Sequence, residues 1–190
     1  LLDKLRWAEG LLPRPPESTP ESDGLWAVKW IQGGVAAGAT RATVESKKGR
    51  FEIDLFGPLR IDARQLAQQV VTGVEPRSPV ERHWVMSLRH LRTLKLSPTL
   101  MGRDDHTKSI VTIHPDGDLE VVKERYEGGA GNFGIRAQLP KNPKPWATPW
   151  QPEIVSLRRR LRYCPIPVLL ARVNLAQRSC YDDPETVMSW

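Results

Sequence analysis

One stretch, Leu25–Gly57, constrains the fold more than any other part of the chain. Its first half carries apolar residues at steps of three and four, which predicts a helix with one buried face. These residues are Leu25, Val28, Ile31, Val35 and Ala39. Two short alternating segments follow and are joined by a tight, charged turn, which predicts a β-hairpin. Helix and hairpin are therefore expected to form one compact unit that ends at Gly57.

This unit resembles the start of the GHKL (Bergerat-fold) ATPases, a superfamily that includes gyrase, MutL, the ninety-kilodalton heat-shock chaperones and the histidine kinases. The string Ala37-Gly38-Ala39-Thr40-Arg41, followed by two strands and Gly57, is most similar to the equivalent segment of MutL. Near the C-terminus, Tyr163 and the proline-rich apolar run 165–170 resemble the end of the chaperones' nucleotide domain. The resemblance implies an α/β (α+β) two-layer sandwich, with a mixed, mostly antiparallel sheet and helices on one face.

The same resemblance locates a nucleotide pocket whose chemical groups are replaced. In the family the helix carries a glutamate that activates water, an asparagine that holds magnesium and a further acid, and the second strand ends in an aspartate that binds adenine. Those positions fall at Lys29, Gly33, Ala36 and Leu55, and only the following glycine, Gly57, is retained. The general base and the metal-binding amide are lost with them. We therefore expect a degenerate pocket with no catalytic residue and no bound cofactor.

Asp54 is next to the replaced aspartate position but does not substitute for it. Neighbouring residues of a strand point to opposite faces of the sheet. Phe51, Ile53 and Leu55 share the apolar face. Asp54 is therefore expected to point away from the pocket.

Two adjacent glycines in the predicted helix, Gly33 and Gly34, also bear on the pocket. A glycine inside a helix costs ~1 kcal/mol relative to alanine. That cost is tolerable if the glycines allow another backbone to approach closely, and we expect the 128–134 loop or the Pro58 turn in that role. The pocket would then be filled by the protein's own chain, with Leu55 and either Trp30 or Lys29 narrowing it.

The remaining patterns predict the other elements and the domain limits. Helices are expected at about 25–37, 62–72, 80–95 and 153–163, and strands at about 41–46, 50–55, 109–114, 119–126, 134–139 and 166–173. We expect an N-terminal helix with a proline-rich arm at 1–24, the GHKL-like domain at 25–175, and a tail at 176–190 that leads into further domains.

Composition and charge limit the environment and the partners. The chain of 190 residues has a formal charge of +6, which bears on attraction to acidic partners but does not identify one. No apolar run is long enough to span a bilayer, so no membrane partner is expected. Cys164 and Cys180 make neither a disulfide framework nor a metal quartet, and His83 and His90 lack a third ligand. We expect a cytoplasmic, bacterial protein without a bound metal.

The functional hypothesis that these observations favour is an interaction or scaffold module within a larger protein. Its partner would be another protein, of unknown identity, and its enzymatic activity stays unassigned because the ATPase residues are not matched. The candidate interaction residues are Arg158, Arg159, Arg162, Trp146 and Trp150.

Two alternatives stay open. A divergent ATPase would bind ATP and magnesium, and would need a base supplied from elsewhere, such as Glu45 or Glu81. A basic nucleic-acid-binding module would use the same arginines and tryptophans, because cations and stacking aromatics together suit single strands.

Overall fold

The computed structural model describes residues 24–47, 49–103, 107–125, 132–139, 151–170 and 173–175. Apart from Gly24, the predicted arm at 1–24 lies outside these ranges, as do the tail at 176–190 and both Trp146 and Trp150. The described residues form four helices and eight strands. The helices are α1 (Leu25–Ala36), α2 (Ala63–Thr72), α3 (Pro79–Thr93) and α4 (Pro152–Arg160). The strands are β1 (Arg41–Lys47), β2 (Arg50–Phe56), β3 (Thr99–Arg103), β4 (Thr107–Ile113), β5 (Leu119–Arg125), β6 (Phe133–Gln138), β7 (Val168–Leu170) and β8 (Val173–Asn174).

All eight strands belong to one sheet, in the order β5-β4-β3-β6-β2-β1-β7-β8. Neighbouring strands are antiparallel except for β1 and β7, which run parallel. In β2 and β6 every second residue is fully buried, as at Ile53 and Ile135, which face each other across the two strands. The mixed, mostly antiparallel sheet is therefore confirmed.

The helices cover one face of this sheet. Trp26 of α1 packs edge-on against Phe51 of β2, with ring centroids 5.5 Å apart, and Trp30 stacks on Phe133 of β6 at 5.1 Å. Gly102 of β3 faces the same way, and α2 lies over it at Ala63. Helices α3 and α4 pack against α1. The α+β two-layer sandwich with helices on one face is thus confirmed.

Helix α1 differs from its prediction, because it is buried on more than one side. Trp26, Ala27, Trp30, Gly33 and Gly34 are buried in addition to the predicted stripe. The reason is that α3 and α4 flank the helix while its remaining side faces the sheet. The expected single apolar face is therefore wrong, and α1 is the central helix of the layer.

Three other elements also differ from their predictions. Strand β3 was not expected, yet it joins β4 to β6 in the middle of the sheet. The single strand expected at 166–173 is instead a short hairpin, in which Leu170 of β7 pairs with Val173 of β8. The last predicted helix ends earlier than expected, at Arg160.

Candidate functional site

A cavity of about 420 Å³ lies between the end of α1, the loop that follows β2, helix α2 and the first turn of α3. Half of its lining residues are polar or charged and half are apolar. The lining residues are Ala37, Pro58, Arg60, Ile61, Asp62, Gln65, Leu66, Gln69, Ser78, Val80, Glu81 and Trp84.

Both carboxylates of this cavity already satisfy backbone amides at helix starts. Asp62 Oδ1 accepts hydrogen bonds from the amides of Arg64 and Gln65, at 2.9 and 3.1 Å, and so caps α2. Glu81 Oε2 accepts from the amide of Arg77 at 2.9 Å. One oxygen of each carboxylate therefore helps to hold the start of a helix or the segment just before it.

Gln69 is the most deeply buried polar side chain of the cavity. It is 7% exposed, and its Nε2 donates to Glu81 Oε2 at 3.3 Å. Its Oε1 atom has no hydrogen-bond partner among the described residues. A buried amide oxygen without a partner is costly unless a ligand or water satisfies it. The cavity therefore presents one unused acceptor next to a helix start.

None of the five predicted pocket residues lines this cavity. Lys29 is half-buried and lies close to His83 of α3, whose pKa is lowered by burial and by the positive charges of Lys29 and Arg82. Ala36 is exposed at the end of α1. Lys29 thus adds to the positive charge around His83.

Gly33 and Gly34 are covered by side chains, so the expectation that a backbone segment approaches them is wrong. A Cβ on Gly33 would overlap the indole of Trp84, lying 2.6 Å from its Cδ1. A Cβ on Gly34 would lie 2.8 Å from both terminal methyls of Leu55. The glycines therefore leave room for an indole and an isobutyl group, and the space in front of α1 is filled by the protein's own side chains.

An aromatic cluster completes this filling. The ring of Trp84 lies 5.2 Å from Phe133 and 6.0 Å from Trp30, and its Nε1 donates to the Trp30 carbonyl at 3.0 Å. All three aromatic side chains are at most 2% exposed. Leu55, in the family's adenine-binding position, is fully buried beside them. The sequence analysis did not identify Trp84 as the residue that packs against Gly33. A large aromatic residue on one predicted helix and a glycine pair on another could have indicated such a contact.

Gly57 retains the backbone conformation of a tight turn. Its φ is 143°, and a Cβ would lie 2.9 Å from the carbonyl oxygen of Gly38. Its amide donates to Asn132 Oδ1 at 3.2 Å. This glycine is required by the approach of the β2 end to the α1–β1 turn, which explains its presence without a nucleotide.

Asp54 lies on the face of the sheet opposite the helices, as the alternation predicted. Its Oδ1 accepts from Arg103 at 3.2 Å, and both side chains are largely buried. Burial raises the pKa of Asp54 even though the guanidinium of Arg103 acts in the other direction. Asp54 is therefore part of a buried ion pair behind the sheet and does not contact the cavity.

The candidate interaction residues are described only in part. Arg158 and Arg159 are exposed in the last turn of α4, and Arg162 is exposed just beyond it, 5.8 Å from the ring of Tyr163.

Of the bases considered for a divergent ATPase, Glu45 is exposed on β1 and bonded to Lys47 at 2.9 Å, away from the cavity. Glu81 does line the cavity.

Within the described part of the chain, no three histidine, cysteine or acidic side chains lie together so that they could hold a metal ion. None of the described helices has the length and apolar character needed to cross a bilayer.

The sequence matches no family model, and it matches no curated protein. Solved structures resemble it in fold. The ATPase region of Saccharomyces cerevisiae topoisomerase II superposes with a TM-score of 0.55 at 12% identity, over 87% of this chain and 50% of that chain. The N-terminal domain of a DNA repair protein gives 0.52 at 12% identity, over 78% of this chain and 50% of that chain.

A third structure is the Aquifex aeolicus MutL ATPase domain complexed with ADP, with a TM-score of 0.51 at 14% identity, over 88% of this chain and 67% of that chain. The chain spans half the length of the topoisomerase region and of the DNA repair domain. At these identities the likeness concerns the fold alone. The resemblance inferred from the sequence is confirmed at that level: the chain has a GHKL-like fold.

Proposed function

We propose that this chain is a GHKL-fold domain that does not hydrolyse ATP and that serves a larger protein as an interaction or scaffold module. The observation that carries the proposal is the contact between Trp84 and Gly33. The resemblance assigns a magnesium-holding asparagine to position 33, but a side chain there would overlap the indole. Without the metal, the charge of a triphosphate is not neutralised at this site.

The loss of the general base supports the same conclusion. The family's glutamate position is Lys29, whose charge has the opposite sign and whose side chain lies beside His83. The cavity's own carboxylates, Asp62 and Glu81, already accept hydrogen bonds from backbone amides at or just before the starts of α2 and α3. A carboxylate that holds such a segment in place is poorly suited to bind and deprotonate water, because moving it would give up those hydrogen bonds.

An adenine site is lost as well. A carboxylate at position 55 would accept a hydrogen bond from the adenine amino group, whereas the Leu55 side chain packs on Gly34. Leaving an amino group unpaired costs ~1–3 kcal/mol of affinity. The cluster of Trp30, Trp84 and Phe133 fills the adjoining space. These contacts favour a scaffold in which the former active-site face stabilises the domain.

A hydrolysis assay tests this proposal. Phosphate release from magnesium-ATP should stay at the background rate and should be the same for the native chain and for a Glu81→Gln variant. Any contaminating ATPase would contribute equally to both samples. Magnesium-dependent turnover that is lost in Glu81→Gln would contradict the proposal and would assign the base to Glu81.

A second candidate function is nucleotide binding without a matched catalytic residue. It is favoured by the 420 Å³ cavity, whose volume is in the range of ligand pockets, and by the unused Oε1 of Gln69. The exposed arginines 158, 159 and 162 keep nucleic-acid binding as a third candidate. Oligonucleotide affinity that falls steeply with salt, and falls further when these arginines are replaced, would favour that candidate.

A further inference from the structure

A second and larger groove lies on the other side of the loop that follows β2. Its volume is about 740 Å³, and it runs over the helix-facing side of β3, β4 and β5 beside the start of α2. Val111 and Val121 give it apolar surface on the sheet, the loop after β2 adds Pro58, Leu59 and Ile61, and most of the other lining residues are polar. The lining residues are Pro58, Leu59, Arg60, Ile61, Asp62, Ala63, Arg64, Gly102, Arg103, Thr107, Ser109, Val111, Val121, Lys123 and Asn132.

The charges of this groove are mostly of one sign. Three cationic side chains line it, Arg60, Arg64 and Lys123, against one carboxylate, Asp62, which caps α2. Arg103 also borders the groove, but its guanidinium is paired with Asp54 on the opposite face of the sheet. Within the described residues, none of Arg60, Arg64 and Lys123 forms an ion pair. The groove is therefore expected to attract a negatively charged ligand.

Strand β5 forms one wall of the groove and is the last strand of the sheet on that side. Among the described residues it pairs with β4 alone. Val121 and Val122 point to opposite faces and are 39% and 40% exposed. A seven-residue edge strand with exposed valines offers main-chain donors and acceptors to an added strand.

The two faces of β5 differ in the charges they present to such a strand. Lys123 and Arg125 alternate with the residues of the opposite face and share the groove side with Val121. On the other face, Glu124 is 3.7 Å from Lys108, and Glu120 is 3.7 Å from His114. The acids of β5 thus lie near Lys108 of β4 and near His114 just beyond it, while its cations face outward on the groove side.

We propose that the edge of β5 takes up an extended acidic segment of a partner protein as an additional strand. The acidic side chains on one face of that segment would lie beside Lys123 and Arg125, within reach of Arg64 across the groove. An apolar residue would lie opposite Val121. The inference deepens the proposed interaction function and rests on it.

The alternation of faces along β5 also limits which residue types the bound segment can carry at each position. In a strand, every second residue faces the groove, so acids are expected at alternate positions, followed by an apolar residue. The intervening residues face Glu120, Val122 and Glu124, where further acids would be repelled. Threonine or valine suits these positions, because both favour extended structure.

The test uses the whole chain and a capped peptide in which glutamate alternates with threonine and which ends in valine. Binding is measured by calorimetry at low and high salt. The double variant Arg64→Glu/Lys123→Glu should bind at least roughly tenfold more weakly, whereas the control Lys47→Glu should bind like the native chain. Lys47 is a suitable control because its side chain is 70% exposed and lies on β1, which four other strands separate from β5 in the sheet.

Two altered peptides test the two parts of the proposal. Replacing glutamate by glutamine should weaken binding, and replacing threonine by proline should abolish it, because proline removes main-chain donors. Equal binding of the glutamine peptide would overturn the electrostatic argument. Equal binding of the proline peptide would overturn strand addition.

The remaining outcomes also overturn the proposal. Absence of peptide binding at millimolar concentration would do so, as would binding of a single-stranded oligonucleotide in place of the peptide. Self-association that is lost in the double variant, without peptide binding, would assign the edge to a second copy of this chain.

An ATPase assay on the same samples separates the two proposals. If the peptide does not bind and ATP is not hydrolysed, only the proposal for the β5 edge is contradicted. If ATP is hydrolysed, the proposed function itself is contradicted.

Discussion

Trp84 occupies the space that a side chain at position 33 would need. Its Cδ1 would lie 2.6 Å from a Cβ on Gly33, and its Nε1 donates to the carbonyl of Trp30, one helical turn before Gly34, at 3.0 Å. This contact connects α1 to α3 and excludes any longer residue from the face of α1. The need for a glycine at position 33 and the close packing of α1 against α3 therefore depend on the same contact.

The first prediction concerns this contact. Gly33→Ala improves helix propensity by ~1 kcal/mol, but it forces the indole to move, and overpacking of this kind costs ~1–3 kcal/mol. We expect a net loss of about 1 kcal/mol in the free energy of unfolding, measured by urea denaturation. In a Trp84→Leu background the same substitution should be neutral or stabilising. Additive effects in this double-mutant cycle would show that the two residues do not interact.

The second prediction concerns the buried ion pair behind the sheet. A Cβ on Gly134 would lie 2.5 Å from Asp54 Oδ1, so Gly134→Ala should displace the carboxylate from Arg103. We expect a loss of ~1–3 kcal/mol in unfolding free energy. The matched control is Gly102→Ala in the neighbouring strand β3, where the nearest atom to the new Cβ, that of Ala63, is 3.6 Å away. Equal effects of the two substitutions would contradict the proposed contact.

The third prediction concerns pH. Burial, Lys29 and Arg82 together lower the pKa of His83 from its ordinary value. The folded state therefore binds the His83 proton less readily than the unfolded state, so the stability linked to this residue is present above pH ~6.5 and decreases as the pH falls. Unfolding free energy should decrease more between pH 7 and 5 in the native chain than in His83→Gln. Identical pH profiles would show that His83 is not the responsible group.

The fourth prediction addresses the adenine-binding position. Leu55→Asp restores the family's carboxylate, but it places a charge in a fully buried position against Gly34. An uncompensated buried charge costs ~3–5 kcal/mol, so we expect severe destabilisation without nucleotide affinity. Leu55→Asn, which has a similar shape and no charge, should be less destabilising and should show a weaker dependence on pH. A stable Leu55→Asp variant that binds adenosine would contradict the packing account.

The sheet and most of the helices could be predicted because their patterns are local. The alternation of Phe51, Ile53 and Leu55 gave both the strand and the correct face for Asp54. Strand β3 could not be predicted, since Thr99–Arg103 is short. Leu100, Met101 and Gly102 are all buried, so the strand lacks the alternation of buried and exposed residues. The environment of α1 also escaped prediction, because its burial on several sides depends on contacts with α3 and α4.

The contacts of the candidate site could not be predicted from the sequence, and none of the five positions that the resemblance assigns to a nucleotide pocket lines the 420 Å³ cavity. The glycine pair indicated a close approach to α1, and the structure shows that side chains of Trp84 and Leu55 make it. A sequence pattern reports which residues share a face, whereas the partner across an interface depends on the tertiary arrangement. The cationic groove beside β5 is of the same kind, because Arg64 and Lys123 are brought together only by the fold.

The measurement that tests the central claim most directly is calorimetric titration of the whole chain with ATP in the presence of magnesium, together with a thermal-shift assay of the same samples. A ligand that binds the native state must stabilise it, so the absence of binding gives no shift in melting temperature. The account predicts no heat of binding and no shift at millimolar ATP, both in the native chain and in a Gln69→Ala variant. A magnesium-dependent shift of several degrees in the native chain would contradict it, and loss of that shift in Gln69→Ala would place the nucleotide in the 420 Å³ cavity.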